Sequence, residues 1–149
     1  MQLYKQGDLR WAFKKLGNSV YKKKKKGCVT TDVTMSADYF GIKMTPGQVV
    51  EKLQYTDGGL LLWQSVSNIG LKFLWRGYDY NQATIDEALK NPKRTCLLQV
   101  DRGAHWVLGI YRVPMTRKFW VADPYTGTRK FYSGVVGYSI LKKKKIRVI

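Results

Sequence analysis

The chain contains one histidine, two cysteines, four prolines and 10 acidic residues among its 149. Each shortage excludes something. Two cysteines cannot build the multi-bridge framework of small secreted scaffolds, and no CxxC or HExxH spacing offers a zinc site. A structural metal is therefore not expected, and no cofactor is implied. Four prolines and 14 glycines without a period exclude a collagen-like or low-complexity chain. No apolar run approaches the roughly eighteen residues that a membrane-spanning helix needs. The opening Met1-Gln2-Leu3-Tyr4-Lys5 lacks the basic region and apolar stretch of a secretion signal. The sequence reads as neither a Sec substrate nor a membrane protein.

What is present suits a folded chain. Hydrophobic residues make up 44% and aromatics 13%, too much for intrinsic disorder. At this length, residues 1–149 read as one domain, which would bury roughly 68–70% of its unfolded surface. Lysine and arginine number 27, giving a net charge of +17. A field of that sign favours phosphate-rich or carboxylate-rich partners, so electrostatic contact with polyanions is one expectation. Part of the excess is local, in the lysine runs 22–26 and 142–145, which read as solvated loops.

Turn residues such as Gly7-Asp8 and Gly17-Asn18-Ser19 fill the opening, so little regular structure is expected before Gly27. Residues 28–40 read as a buried helix, with Gly41 as its C-terminal cap. Thr45-Pro46 supplies an N-cap and a first-turn proline for a helix over 46–54. Residues 60–66 read as a short buried helix. Thr84-Ile85-Asp86-Glu87 has the spacing of a capping box, which predicts a helix over 85–90. The second half is strand-like at 95–100, 105–112, 118–123 and 129–132, separated by turns such as Asp101-Arg102-Gly103 and Pro124-Tyr125-Thr126-Gly127. Helices first and an antiparallel meander afterwards is an α+β pattern, with the first helix packed on the sheet.

The lone histidine, His105, gains meaning from its neighbours. If 105–112 and 118–123 pair through a loop over 113–117, Arg112 faces Lys118 and Asp123 faces Val107. His105 and Asp123 then share a face, one diagonal step apart, at about 7–8 Å between pair positions. That is a base with an orienting acid. Cys28 follows Gly27 at the start of the first helix, where unpaired N–H groups and the dipole favour a thiolate. Cys96, inside an apolar strand, reads as a small buried thiol. A thiolate attacking a carbonyl also needs a donor for the oxyanion, for which Gln6 and the Cys28 backbone N–H are candidates.

The ordered series Gln6-Gly7-Asp8-Leu9-Arg10-Trp11, Gly27-Cys28-Val29-Thr30-Thr31 with Met35, Tyr39-Phe40-Gly41, Thr45-Pro46-Gly47, His105-Trp106-Val107 and Asp123-Pro124 resembles the bacteriocin-processing (double-glycine leader) branch of the papain-like cysteine peptidases. It spans about residues 4–127, and without a transporter segment it is a likeness to stand-alone members. The resemblance implies a papain-like fold in which a central helix presents the nucleophile Cys28 and an antiparallel sheet presents His105 and Asp123. It further implies Gln6 as an oxyanion-hole donor and Trp11 as structural. Two features depart from the pattern: Val29 follows the cysteine where a smaller residue is frequent, and the first lysine run separates Gln6 from Cys28.

The expected activity is hydrolysis of a peptide bond through an acyl-thioenzyme, on a peptide, a protein junction or a peptidoglycan stem peptide, cytoplasmic or carried on a phage particle. Amidase or transferase chemistry would use the same three residues. The expectation from another class is a catalytically silent papain-like module that serves as a phage component or binds polyanions, with aromatics as stacking platforms. Against that, segments such as Phe73-Leu74-Trp75 and Phe119-Trp120-Val121 read as core.

Overall fold

A computed structural model of the protein describes residues 1–22 and 27–145. Helix α1 spans Cys28–Tyr39, and 10 of its 12 residues are buried, so it shows no amphipathic stripe. Its threonines are poor helix formers by propensity, and burial selects the helix instead. Their hydroxyls bond back along it, Thr31 to Gly27 O and Thr34 to Thr30 O, each at 2.8 Å. Gly41, at φ +85°, closes it as expected: its N–H reaches Asp38 O, and the Ile42 N–H reaches Ala37 O. Helix α2, Pro46–Lys52, begins at Thr45, whose side chain and that of Gln48 form a reciprocal capping box. It ends two residues before the expected 54.

The expected helix over 60–66 is displaced. Leu60 is exposed and Leu61 bridges Tyr55, so the tighter 3-10 helix occupies Trp63–Ile69 instead. Helix α3 runs over Gln82–Lys90, earlier than 85–90, because Asn81 rather than Thr84 is the N-cap, accepting from the Thr84 N–H. In the opening segment, Lys15 bridges Lys22, and the rest of the first lysine run lies outside the described residues.

Six strands form one antiparallel sheet: β1 Leu71–Gly77, β2 Arg94–Val100, β3 His105–Arg112, β4 Phe119–Asp123, β5 Thr128–Tyr132 and β6 Gly137–Lys143, in the order β1-β6-β2-β3-β4-β5. The expected meander is its β2-to-β5 portion. Strands β1 and β6 were not expected, and they correct two readings. Lys142 and Lys143 belong to a strand rather than a loop. Trp75 is 60% exposed on the edge strand, where a register shift after Phe73 turns it out of the core.

The hairpin register also differs at one end. Arg112 faces Phe119 and Tyr111 faces Trp120, not the expected Arg112–Lys118 pairing. A bulge between Gly109 and Tyr111 absorbs one residue, and Leu108 then faces Ala122, the expected register. Without it, His105 and Asp123 would lie on opposite faces. Gly109 sits where a Cβ would come within 3.1 Å of Cys96 O and of the Leu89 and Leu98 side chains, which is why the bulge begins at a glycine.

Two cores flank the sheet. On one side Val33, Met35 and Ala37 of α1 pack with Leu97, Leu108 and Leu141. On the other, Ile85 and Ala88 of α3 pack with Cys96, Leu98, Val107 and Phe119. Burying a Leu or Phe side chain is worth about 1.5–3 kcal/mol, so the first core pins α1 and the second pins α3 against opposite faces of the sheet. At 0% exposure Cys96 is part of that core, and burial pushes its thiol up, away from thiolate chemistry. Among the described residues no helix is long and apolar enough to cross a membrane.

Candidate active site

The last ladder pair of β2 and β3 is Val100 with His105, and the site lies at that end of the sheet. The turn before His105 places Asp101, Arg102 and Gly103 at φ of 51°, 56° and 93°, a left-handed run that two side-chain-bearing residues adopt only under constraint. The constraint is a clamp: Gln99 Nε2 donates to Gly103 O at 3.1 Å, and Arg76 Nη2 donates to Gln99 Oε1 at 2.8 Å.

Cys28 is the first residue of α1, nearly buried, with a free thiol. Its thiol lies beside the His105 imidazole, where it favours the charged ring. On the other side of the ring, His105 Nε2 donates to Asp123 Oδ1 at 2.8 Å. With Nε2 occupied, Nδ1 is the nitrogen left for the thiol. Asp123 is 1% exposed and also accepts from the Tyr125 N–H at 2.9 Å. Burial by itself would push the His105 imidazolium down, but the interactions with Asp123 and Cys28 outweigh it and raise His105 to about 9. Burial likewise works to raise Asp123, yet the donors from His105, Tyr125 and Lys130 hold its carboxyl below the usual range.

Gln6 reaches the same place despite the lysine run between it and Cys28. Its backbone N–H donates to Pro124 O at 2.7 Å, next to Asp123. The segment is held from both sides: Trp11 Nε1 donates to Lys5 O at 2.8 Å, and Gly127 packs so closely on Lys5 that a Cβ would stand 3.0 Å from the Lys5 Cβ. Gln6 is buried and lines one cleft with Cys28 and His105. That cleft has a volume of about 780 Å³, with Trp106, Tyr125 and Leu61 among its walls. Val29, half-buried, lines it too.

Of the four residues singled out in the sequence, Gln6, Cys28 and His105 therefore meet in one cleft, and Asp123 is buried behind it against the His105 ring. Sequence reasoning missed Lys130 and Tyr132 of β5, which approach Asp123 Oδ2 at 3.2 and 3.5 Å. Their signal was parity, since Thr128 faces Asp123 and Lys130 follows two residues on. Among the described residues no three His, Cys, Asp or Glu side chains come together as a metal site. Chemically, a thiol that can pass its proton to an imidazole held by a carboxylate is equipped for nucleophilic attack, with helix N–H groups beside it.

No protein-family model matches the chain, and no curated protein matches it. Solved structures do. A double-glycine-motif protease from an AMS/PCAT transporter, solved with a leader peptide, superposes at a TM-score of 0.60 and 15% identity, over 97% of this chain and 99% of that one. The peptidase domain of Streptococcus ComA, a bi-functional ABC transporter of a quorum-sensing pathway, gives 0.57 at 12% identity, over 87% and 98%. The N-terminal peptidase C39-like domain of a toxin-secretion ATP-binding protein from Vibrio parahaemolyticus gives 0.55 at 16%, over 78% and 96%. The chain thus has the α+β fold of papain-like, C39-like peptidase domains.

Proposed function

We propose that this protein is a cysteine peptidase working through an acyl-thioenzyme. Cys28 attacks the scissile carbonyl, His105 takes the thiol proton and delivers it to the leaving amine, and Asp123 orients the imidazole. Gln6 and the Cys28 backbone N–H receive the oxyanion. Water then hydrolyses the thioester. The observation that carries this reading is the convergence of Cys28, His105 and Gln6 on one cleft, with the imidazole backed by the buried carboxylate of Asp123.

A leader-type peptide is the first substrate class to test, since one similar fold was solved holding a leader peptide. A peptidoglycan stem peptide is the second. The test is cleavage of a mixed peptide library, read by mass spectrometry, alongside iodoacetamide labelling of the thiol against pH. Wild type is expected to label rapidly well below the free-thiol value of about 8.5. Cys28→Ala is expected to lose cleavage by at least about a thousandfold. Full cleavage by Cys28→Ala would overturn Cys28 as the nucleophile, and a slow thiol titrating near about 8.5 with no cleavage would leave a catalytically silent papain-like module.

A separate observation favours contact with a polyanion at the opposite end of the sheet. Lys72, Lys142 and Arg94 stand directly opposite one another across β1, β6 and β2. Lys72 and Lys142 line a groove of about 420 Å³ with Lys144 and Lys145. Like charges in register cost stability, and an anionic chain laid across them would relieve the cost. Binding of a labelled DNA duplex should fall steeply with salt, and the double variant Lys72→Glu, Lys142→Glu should flatten that slope by about two. An unchanged slope would dismiss the groove.

A further inference from the structure

The carboxylate of Asp123 has more partners than are needed to orient an imidazole. Oδ1 accepts from His105 Nε2 and the Tyr125 N–H. Oδ2, turned away from the histidine, faces Lys130 Nζ at 3.2 Å and the Tyr132 hydroxyl at 3.5 Å. The sheet builds this second pair of contacts. Asp123 faces Thr128, so Lys130 lies one diagonal step along β5 on the same face, within reach of a long side chain. Among the described ion pairs, Asp123 is the most buried carboxylate, at 1% side-chain exposure, while Lys130 is 41% exposed at the cleft wall.

We infer that Lys130 is a positioning residue for the proposed reaction: held against Asp123 Oδ2, it keeps the carboxylate ionised and in place and limits its pull on the His105 imidazolium. The inference rests on the reading of the cleft as a cysteine peptidase site. A carboxylate with only a histidine beside it shares its charge with one partner, so its pull on the imidazolium is undivided. With a lysine on its far oxygen, the same carboxylate lies between two cations, and the positive charge of Lys130 opposes a second positive charge on His105. The ring then releases its proton to a leaving amine more readily. The groups that face this pair are Cys28 from α1, Asp123 from β4, Tyr125 from the following turn, and Lys130 and Tyr132 from β5. Asp101, in the turn before β3, acts on Tyr132.

His105 is the only histidine, so its ring C2–H gives a single resonance to follow by proton NMR across a pH titration of the whole chain. Lys130→Met is expected to raise the His105 midpoint by about half a unit to one unit, and Lys130→Arg to return it to the wild-type value. A merely structural role would not move that midpoint upward. A midpoint unchanged or lowered in a folded Lys130→Met, or one not restored by Lys130→Arg, overturns the inference. Cys28→Ala in the same experiment separates it from the reading on which it rests. If Cys28→Ala leaves the midpoint unchanged while Lys130→Met raises it, the thiol–imidazole pairing fails and the effect of Lys130 stands. If Cys28→Ala lowers the midpoint and Lys130→Met does not raise it, the peptidase reading survives and Lys130 is dismissed.

Discussion

At the cleft end of the sheet a buried carboxylate, Asp123, meets donors from His105, Tyr125, Lys130 and Tyr132. At the other end Lys72 and Lys142 face each other across adjacent strands, and among the described residues neither forms an ion pair. Only Arg94, the third member of that row, has a distant partner, Glu87 at 3.8 Å. The difference teaches how one chain uses charge in two ways. Buried and paired, a charge sets the protonation of its neighbour and acts over a few ångströms. Exposed and unpaired, it contributes to a field that reaches about one Debye length and fades with salt.

The sharpest break in this comparison comes from uncoupling the paired end. Asp123→Asn is expected to cost about 10²–10⁴ in turnover of any peptide the wild type cleaves, because the imidazole loses its orienting acceptor. The same change should alter the stability profile. The wild-type imidazolium is favoured in the folded state, with His105 raised from 6.5 to about 9. Its contribution to stability is therefore complete below about 6.5 and lost as pH rises through about 9. Urea denaturation of wild type should show a decline over that interval, and Asp123→Asn should show a shallower one. An unchanged decline in the variant would mean that Asp123 does not hold the proton on His105.

A smaller effect tests packing rather than charge. Near the cleft end, a Cβ on Gly77 would stand 2.1 Å from the Tyr138 ring, which is held between β1 and β2. Gly77→Ala should destabilise by about 1–3 kcal/mol in urea. A neutral result would mean that Tyr138 swings away freely. The smallest effect belongs to the unpaired end, where Lys72→Glu replaces a like-charge pair with an opposite one. It should stabilise by a few tenths of a kcal/mol, about 0.5, at low salt, and the gain should shrink as salt is raised. A loss of stability would mean that the lysines at this end do not repel one another.

Much of this architecture was legible in the chain. Gly41 after an apolar stretch and Thr45-Pro46 before another are local devices, and local devices act wherever the chain goes. The turn chemistry around 101–103 and 124–127 marked the meander for the same reason. Strand β1 was not legible, because Leu71-Lys72-Phe73-Leu74-Trp75 lacks strict alternation and its register shifts after Phe73. Strand β6 was hidden between glycines and lysines that read as loop. Of the site, residue types and order pointed to Cys28, His105, Asp123 and Gln6, whereas Lys130 and Tyr132 had no motif to announce them.

By itself the sequence determined the end of α1 at Gly41, the start of α2 at Thr45, the meander with its turns, and the supply of one thiol, one imidazole and one acid in a workable order. Those follow from backbone preferences and side-chain chemistry within a few residues. Only the tertiary structure decided that the residue absorbed after Gly109 keeps His105 and Asp123 on one face, that Pro124 O holds Gln6 at the cleft, and that Lys130 reaches the carboxylate. It also decided that β1 and β6 align basic residues in a row. Such outcomes depend on register between distant segments, and a shift of one residue reverses the face on which a side chain stands.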